Sequence, residues 1–211
     1  HGLAIFLGRP GQEDQRRMFA DALASQLSNA AHSKAARGSL LHELQVAGGK
    51  EIVGAVGKEL QDEDLCEHAA QALLAIREGA AAQFRGALPG AKGKSRITLL
   101  QALGVLRDVE SIRPLLRALG DQDRDVRLAA AWALANIGDA SAVEAVIKSA
   151  DAAEGWERVQ LTKACLLLAE KLAASGNRSA SARIYTHLRD TRKETERYVS
   201  EAAEKALGAP R

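Results

Sequence analysis

The chain has 211 residues, which is enough for one sizeable domain. Hydrophobic residues make up 46% of it but aromatic residues only 3%, a composition that favours close-packed helices over a sheet rich in aromatic and β-branched residues. The formal net charge of +2 indicates no strong general attraction to nucleic acid or anionic membranes, and no apolar run reaches the about 18 residues typical of a membrane-spanning helix.

Two helices are predicted before any regular pattern begins. Residues 3–10 form a short apolar segment that ends at the turn signal Arg9-Pro10-Gly11. The first helix is predicted at about 13–27, with Met18, Leu23 and Leu27 on its buried face, and the second at about 33–46.

A regular array follows, in which a short first helix alternates with a longer second helix. First helices are predicted at about 50–60, 80–88, 111–119 and 141–150, and second helices at about 64–76, 94–106, 124–137 and 156–174. The second helices align with one another at steps of 30 or 31 residues. A period of this size indicates a repeat protein in which neighbouring helix pairs stack to form a continuous core.

Positions that align between the second helices are called columns below. One column is alanine in all four repeats, namely Ala72, Ala102, Ala133 and Ala164. Backbones are expected to approach closely there, because a larger side chain would overpack the contact. Cys165 lies in a column that is otherwise leucine and is predicted to be a small buried hydrophobe.

The C-terminal part departs from the period. The helix from Trp156 runs long, and further helices are predicted at about 178–189 and 195–207. Residues 166–188, with Gly176 at the turn and Tyr185 after it, resemble a tetratricopeptide hairpin, which would cap the array. We predict one repeat domain over 1–211, with irregular N-terminal helices at about 12–48, regular repeats at about 50–174 and the tetratricopeptide-like cap at about 160–208.

Residues 123–138 carry the shape of a short HEAT repeat, D-x-x-V-R-x-x-A-A-x-A-L-x-x-I-G. The chain therefore resembles the bacterial HEAT-like family, of the type also found in phycobilisome lyases, most closely over about 50–150. The resemblance implies an all-α, right-handed α-solenoid of antiparallel helix pairs, whose second helices line a concave side. It also implies a scaffold that binds other proteins, with a few enzymatic branches.

An arginine column recurs every 31 residues at Arg96, Arg127 and Arg158, and Cys66 takes its place in the earlier repeat. The family resemblance implies that such arginines connect repeats by pairing with an aspartate about one turn earlier, such as Asp121 or Asp123 for Arg127. The alternative is a basic ladder on the inner face that binds an acidic partner.

Trp132 is the clearest departure from its column, which holds Gln71, Gln101 and Lys163 in the other repeats. The column should therefore face solvent, where a tryptophan has the chemistry of an interface anchor. The alternative is that Trp132 leans into a groove between helices. Trp156 replaces a charged residue at the start of its helix and is expected to pack there, or else to lie beside Trp132.

The preferred function is a non-catalytic protein-binding scaffold, whose concave surface around Trp132 and the arginine column takes a partner helix or peptide. Nucleic-acid binding through the same face is the alternative, since residues 91–211 carry 20 Lys and Arg against 16 Asp and Glu. A lyase or metal-dependent hydroxylase would follow only from family analogy. The pairs His42-Glu43 and Glu67-His68 have metal-ligand chemistry, but the second is reversed and no matching pair follows, so no catalytic residue, metal or cofactor is predicted.

No membrane association is predicted, and the partner is expected to be a protein or peptide. Two cysteines without a C-x-x-C motif exclude a disulfide framework, which favours the cytoplasm without excluding the periplasm.

Overall fold

The computed structural model describes residues 1–194 and 196–208, and every regular element in that part of the chain is helical. The α-helices of this part are α1 (Gly2–Leu7), α2 (Glu13–Leu27), α3 (Lys34–Ala47), α4 (Val53–Lys58), α5 (Cys66–Ile76), α6 (Ala80–Ala87), α7 (Gly93–Leu106), α8 (Ile112–Ala118), α9 (Arg124–Ile137), α10 (Val143–Ala152), α11 (Gly155–Ala174), α12 (Arg178–Thr191) and α13 (Arg197–Leu207). Short 3₁₀ turns flank several of the shorter helices.

The predicted helices of the repeat array all exist, with small shifts at their ends. The second helices α5, α7, α9 and α11 begin within two residues of the predicted starts and end at the predicted residues. The last helix was predicted to begin at Thr195, which lies outside the described residues; the observed α13 begins at Arg197. Asp123 before α9 and Gly138 after it are examples in which aspartate and glycine mark the two ends of a helix.

The chain divides into two compact units, His1–Leu106 and the remainder from Arg107 onward. In the first unit, α3 packs on α5 and α5 on α7, while α4 packs on α5 and α6. In the second unit, α9 packs on α8 and α11, α10 on α11, and α12 on α11 and α13. Second helices thus stack on one another within each unit, as in an α-solenoid. The single-domain boundaries and the handedness remain predictions.

The N-terminal segment differs from the prediction in two ways: it contains one helix that was not predicted, and one residue that was predicted to be buried is exposed. Residues 2–7 form α1, which buries Ala4 and Leu7 against α2 and α3. Met18 was expected in the core but is 72% exposed. Leu27 is buried as predicted and Leu23 is half-buried, while Ala20 and Ala24 take the place of Met18 on the buried face of α2.

The small-residue column is buried as predicted. Ala72, Ala102, Ala133 and Ala164 are between 0% and 6% exposed. Cys66 and Cys165 are free, buried thiols. Burial raises the pKa of Cys66, and it raises the pKa of Cys165 to about 12, so both thiols stay protonated and serve as small apolar side chains.

The ends of α9 show how the repeat signature fixes local structure. Asp123 is the N-cap of α9, and its carboxylate accepts a hydrogen bond from the Asp125 backbone N–H at 2.8 Å. At the other end Gly138 has φ +74° and ψ +32°, and a Cβ there would lie 2.9 Å from the Lys171 Cβ. The equivalent positions in the two earlier repeats are Arg77 and Arg107, both with positive φ. Only one of these three positions therefore has the residue that its backbone prefers.

Candidate protein-binding face

The column that contains Trp132 faces solvent throughout. Gln71 on α5 and Gln101 on α7 are exposed in the first unit, and Trp132 on α9 and Lys163 on α11 are exposed in the second. The exposure follows from helical spacing, because the alanine column one residue further along each helix faces the core.

Trp132 lies in an apolar setting on the second unit. Trp132 is 39% exposed, and Leu128, one turn earlier on α9, is half-buried. The equivalent residues on α11 are Lys163, which is exposed, and Val159, which is half-buried. Because α9 packs directly on α11, these four residues occupy matching positions on adjacent helices. We call Leu128, Trp132, Val159 and Lys163 the tryptophan face.

Trp156 does not pack into the core, contrary to the preferred prediction. Its side chain is 57% exposed, and the Arg124 guanidinium lies 5.1 Å from the centre of its ring. The cause is position: α11 begins at Gly155, so Trp156 stands in the first turn, next to the first residue of α9. The contact is a cation–π pair between the starts of two adjacent helices, and the ring retains a large exposed surface.

Arg127 connects two repeats through a partner that the sequence reading did not identify. Its Nε and Nη2 donate to the two carboxylate oxygens of Glu157 at 2.7 and 2.8 Å. Its Nη1 donates to the backbone carbonyls of Asp121 and Gln122 at 2.8 and 3.0 Å. The arginine therefore connects two repeats, as one of the two interpretations held, with Glu157 as its bidentate carboxylate partner. The hydrogen bonds to Glu157 and, after them, the charges of Asp121 and Asp123 raise the pKa of Arg127. The hydrogen bonds from Arg127 hold the pKa of Glu157 below its usual value.

Arg158 has a similar role towards the C-terminal helices. Its Nε donates to Oε2 of Glu196 at 3.0 Å, and the Nε of Arg192 lies 3.0 Å from the same oxygen. Arg192 is only 3% exposed and also donates from Nη2 to Asp151 at 2.6 Å. The His187 ring lies 2.9 Å from the second oxygen of Asp151. This cluster connects α10, α11 and α12 with the segment that leads into α13.

The arginine column is thus not a free basic ladder in the second unit, because Arg127 and Arg158 are both engaged by carboxylates. Arg96, in the first unit, lies half-buried on α7. One signal in the sequence pointed to Glu157: its column holds Leu65, Ser95 and Val126 in the other repeats, so a carboxylate there departs from the pattern. Glu196 and Arg192 lie outside the regular repeats, and no column comparison reaches them.

The two histidines considered as metal ligands line one groove of about 560 Å³ between α3 and α5, together with Glu43. His42 also stacks on the ring of His1, with 5.2 Å between ring centres. In the described part of the chain, no three His, Cys, Asp or Glu side chains converge as a metal site requires.

The described helices include none with the length and apolar character needed to cross a membrane.

Comparison with known proteins supports the repeat assignment. Residues 85–166 match the family model of HEAT repeats. A solved structure of an engineered protein from the Northeast Structural Genomics Consortium is similar, with a TM-score of 0.56 and 16% sequence identity. That alignment covers 97% of this chain and 66% of the engineered protein, and at this identity it shows the fold alone. No curated protein matches the chain.

The class of protein follows from these findings and from the packing within each unit. This is an all-α, HEAT-like repeat protein of the α-solenoid class, as predicted. The phycobilisome-lyase type and the tetratricopeptide-like hairpin are not confirmed by the comparisons.

Proposed function

We propose that this chain is a non-catalytic scaffold that binds another protein, and that it holds a helix or peptide of its partner against Trp132. The observation that carries the proposal is the exposed indole of Trp132, 39% accessible in a column that is otherwise Gln or Lys. HEAT repeats commonly serve as interaction scaffolds, and their second helices supply the exposed residues.

The exposed part of the Trp132 ring is large enough to matter for affinity. A tryptophan side chain presents up to roughly 250 Å² of surface, so 39% exposure leaves about 100 Å² to be covered. At about 25 cal/mol per Å², covering it contributes about 2.5 kcal/mol, which is in the range of a binding hot spot. The half-buried Leu128 and Val159 extend the apolar area around the ring.

Two observations favour binding over catalysis. The cysteines are buried and their pKa values are raised, whereas a nucleophilic cysteine needs an accessible thiolate. The charged cluster around Arg192 is engaged internally, so its groups support the packing of helices.

Nucleic-acid binding has less support than protein binding. It would require free cations along the face, and both column arginines of the second unit are paired with glutamates. The mildly basic balance of residues 91–211 alone predicts only weak phosphate contact.

The test is capture of partner from the source cell by wild type, Trp132→Ala and Tyr198→Ala. Tyr198 is a matched control, because it is an aromatic residue on α13 with 64% exposure. We expect Trp132→Ala to lose the partner and to melt within about 2 °C of wild type, and Tyr198→Ala to retain it. A drop of several degrees in the Trp132→Ala melting temperature, or unchanged capture, would contradict the proposal. Retardation of DNA at low salt that is lost steeply with added salt would favour the nucleic-acid alternative.

A further inference from the structure

We infer that the partner segment presents a carboxylate to Lys163 beside an apolar side chain that covers Trp132. The site therefore recognises an acidic and apolar peptide. The inference rests on the proposed function and specifies its partner chemistry.

Lys163 is the charged residue of the tryptophan face, and its immediate surroundings on its own helix are uncharged. The residues one turn away on α11 are Val159, Gln160, Leu166 and Leu167. The Lys163 side chain is exposed, and its ammonium makes no ion pair with any residue that the structure describes. An ammonium set among half-buried apolar groups is the natural counterpart of a single carboxylate.

Acidic residues near this face are already engaged, so they do not neutralise Lys163. Glu157 binds Arg127 through both oxygens, and Asp125 lies 3.4 Å from Arg124. The nearest exposed carboxylate further along α11 is Glu170, two turns beyond Lys163. The tryptophan face is therefore an apolar patch with one positive charge, which lies on α11 at the position equivalent to Trp132 on α9.

The charge of an arriving segment decides how well it binds there. An apolar side chain on Trp132 excludes water from the neighbourhood of Lys163, which weakens hydration of the ammonium. A neutral segment leaves that ammonium desolvated and unpaired, and a basic segment adds repulsion. An acidic group supplies the missing charge partner, so the same contact gives both affinity and selectivity.

The probe is a random 12-residue peptide library displayed on phage, selected on the whole wild-type chain after depletion on Trp132→Ala. We expect the enriched peptides to carry Asp or Glu close to Leu, Ile, Phe or Trp. Synthetic copies of the best peptides are then measured by fluorescence anisotropy against wild type, Lys163→Gln and Lys163→Glu.

Charge reversal gives the decisive measurement. Lys163→Glu is expected to weaken the acidic peptides at least about tenfold, and peptides in which Lys replaces the acidic residue should regain binding to that variant. Lys163→Gln should give an intermediate loss. Lys148→Glu is the matched control, because Lys148 is an exposed lysine on α10, away from the tryptophan face.

The possible results separate the two proposals. Peptides that depend on Trp132 but are neutral or basic, with affinity unchanged in Lys163→Glu, overturn the acidic-partner inference and leave the protein-binding function standing. A library that yields no Trp132-dependent peptide overturns both. Loss of binding in Lys148→Glu as large as in Lys163→Glu shows general charge attraction and also overturns the inference.

Discussion

The contact between Arg127 and Glu157 gives the sharpest quantitative prediction about the repeat array. The variants are Arg127→Met, Glu157→Gln and the double variant, which together form a double-mutant cycle. The pair has bidentate geometry, with side chains 26% and 18% exposed. It is therefore intermediate between an exposed pair, which contributes about 0.2–1 kcal/mol, and a buried pair, whose disruption costs about 3–5 kcal/mol.

We expect a coupling free energy of about 1–2 kcal/mol between the two residues. Arg127→Met alone should lower the free energy of unfolding by about 2–3 kcal/mol, because it also removes the hydrogen bonds to the carbonyls of Asp121 and Gln122. Glu157→Gln should cost less, about 1 kcal/mol, since the amide oxygen still accepts one hydrogen bond.

The assay is urea unfolding followed by far-ultraviolet circular dichroism, with the slope m compared between variants. The control cycle uses Arg124 and Asp125, which lie 3.4 Å apart with 55% and 58% exposure and should couple only weakly. A coupling for Arg127 and Glu157 no larger than in the control would refute the structural role of the column. The arginine would then be available to a partner, and the basic-ladder interpretation would return.

Three further predictions concern backbone, packing and charge, and urea unfolding measures each. Arg77→Gly should raise the free energy of unfolding by about 1 kcal/mol, because Arg77 has φ +65° and ψ −52°, a strained γ-turn conformation. Gly138→Ala makes the opposite change at the equivalent position of a later repeat and should lower the free energy of unfolding by about 1–3 kcal/mol. Changes of the opposite sign would contradict the view that these positions prefer glycine. Ala133→Leu should lower the free energy of unfolding by about 1–3 kcal/mol, since the alanine column is buried and a larger side chain would overpack it. An unchanged free energy of unfolding would mean that unfilled space next to Ala133 accommodates the larger side chain. Although burial raises the pKa of Asp151, hydrogen bonds from Arg192 and His187 hold that pKa below the usual value of an aspartate. The stabilising effect of the charged carboxylate is therefore present above that usual value and is lost as the pH falls through the folded-state pKa. The stability difference between wild type and Asp151→Asn should accordingly narrow below about pH 4, and a constant difference would exclude this role.

The repeat pattern of the sequence was enough to predict the helices of the array and their buried face. Its strength came from comparison between copies: four alanines in one column indicate a close backbone approach, whatever the partner helix. The N-terminal part has no second copy, and there the periodicity of α2 placed Met18 inside when Ala20 and Ala24 face the core. A short apolar segment such as α1 gave no helical period to read.

The candidate site was predicted in part for the same reason. Column comparison identified Trp132 as a departure from a polar position, and exposure of the whole column follows from helical geometry. Column comparison does not predict contacts between residues that are far apart in the sequence and lie outside the repeats. Glu196 lies 38 residues from Arg158, in a segment with no counterpart in the other repeats, so only the fold brings the two together.

The contact between Arg127 and Glu157 has a consequence for how such a chain can be rebuilt. The repeat that contains Arg127 needs a glutamate directly before the arginine column of its successor, a position that holds Leu65, Ser95 or Val126 elsewhere. Duplicating or transplanting this repeat in front of any of those copies leaves a half-buried guanidinium without its carboxylate. The repeat that contains Arg127 is therefore not interchangeable with the others, since the repeat that follows it must supply the glutamate at the position of Glu157.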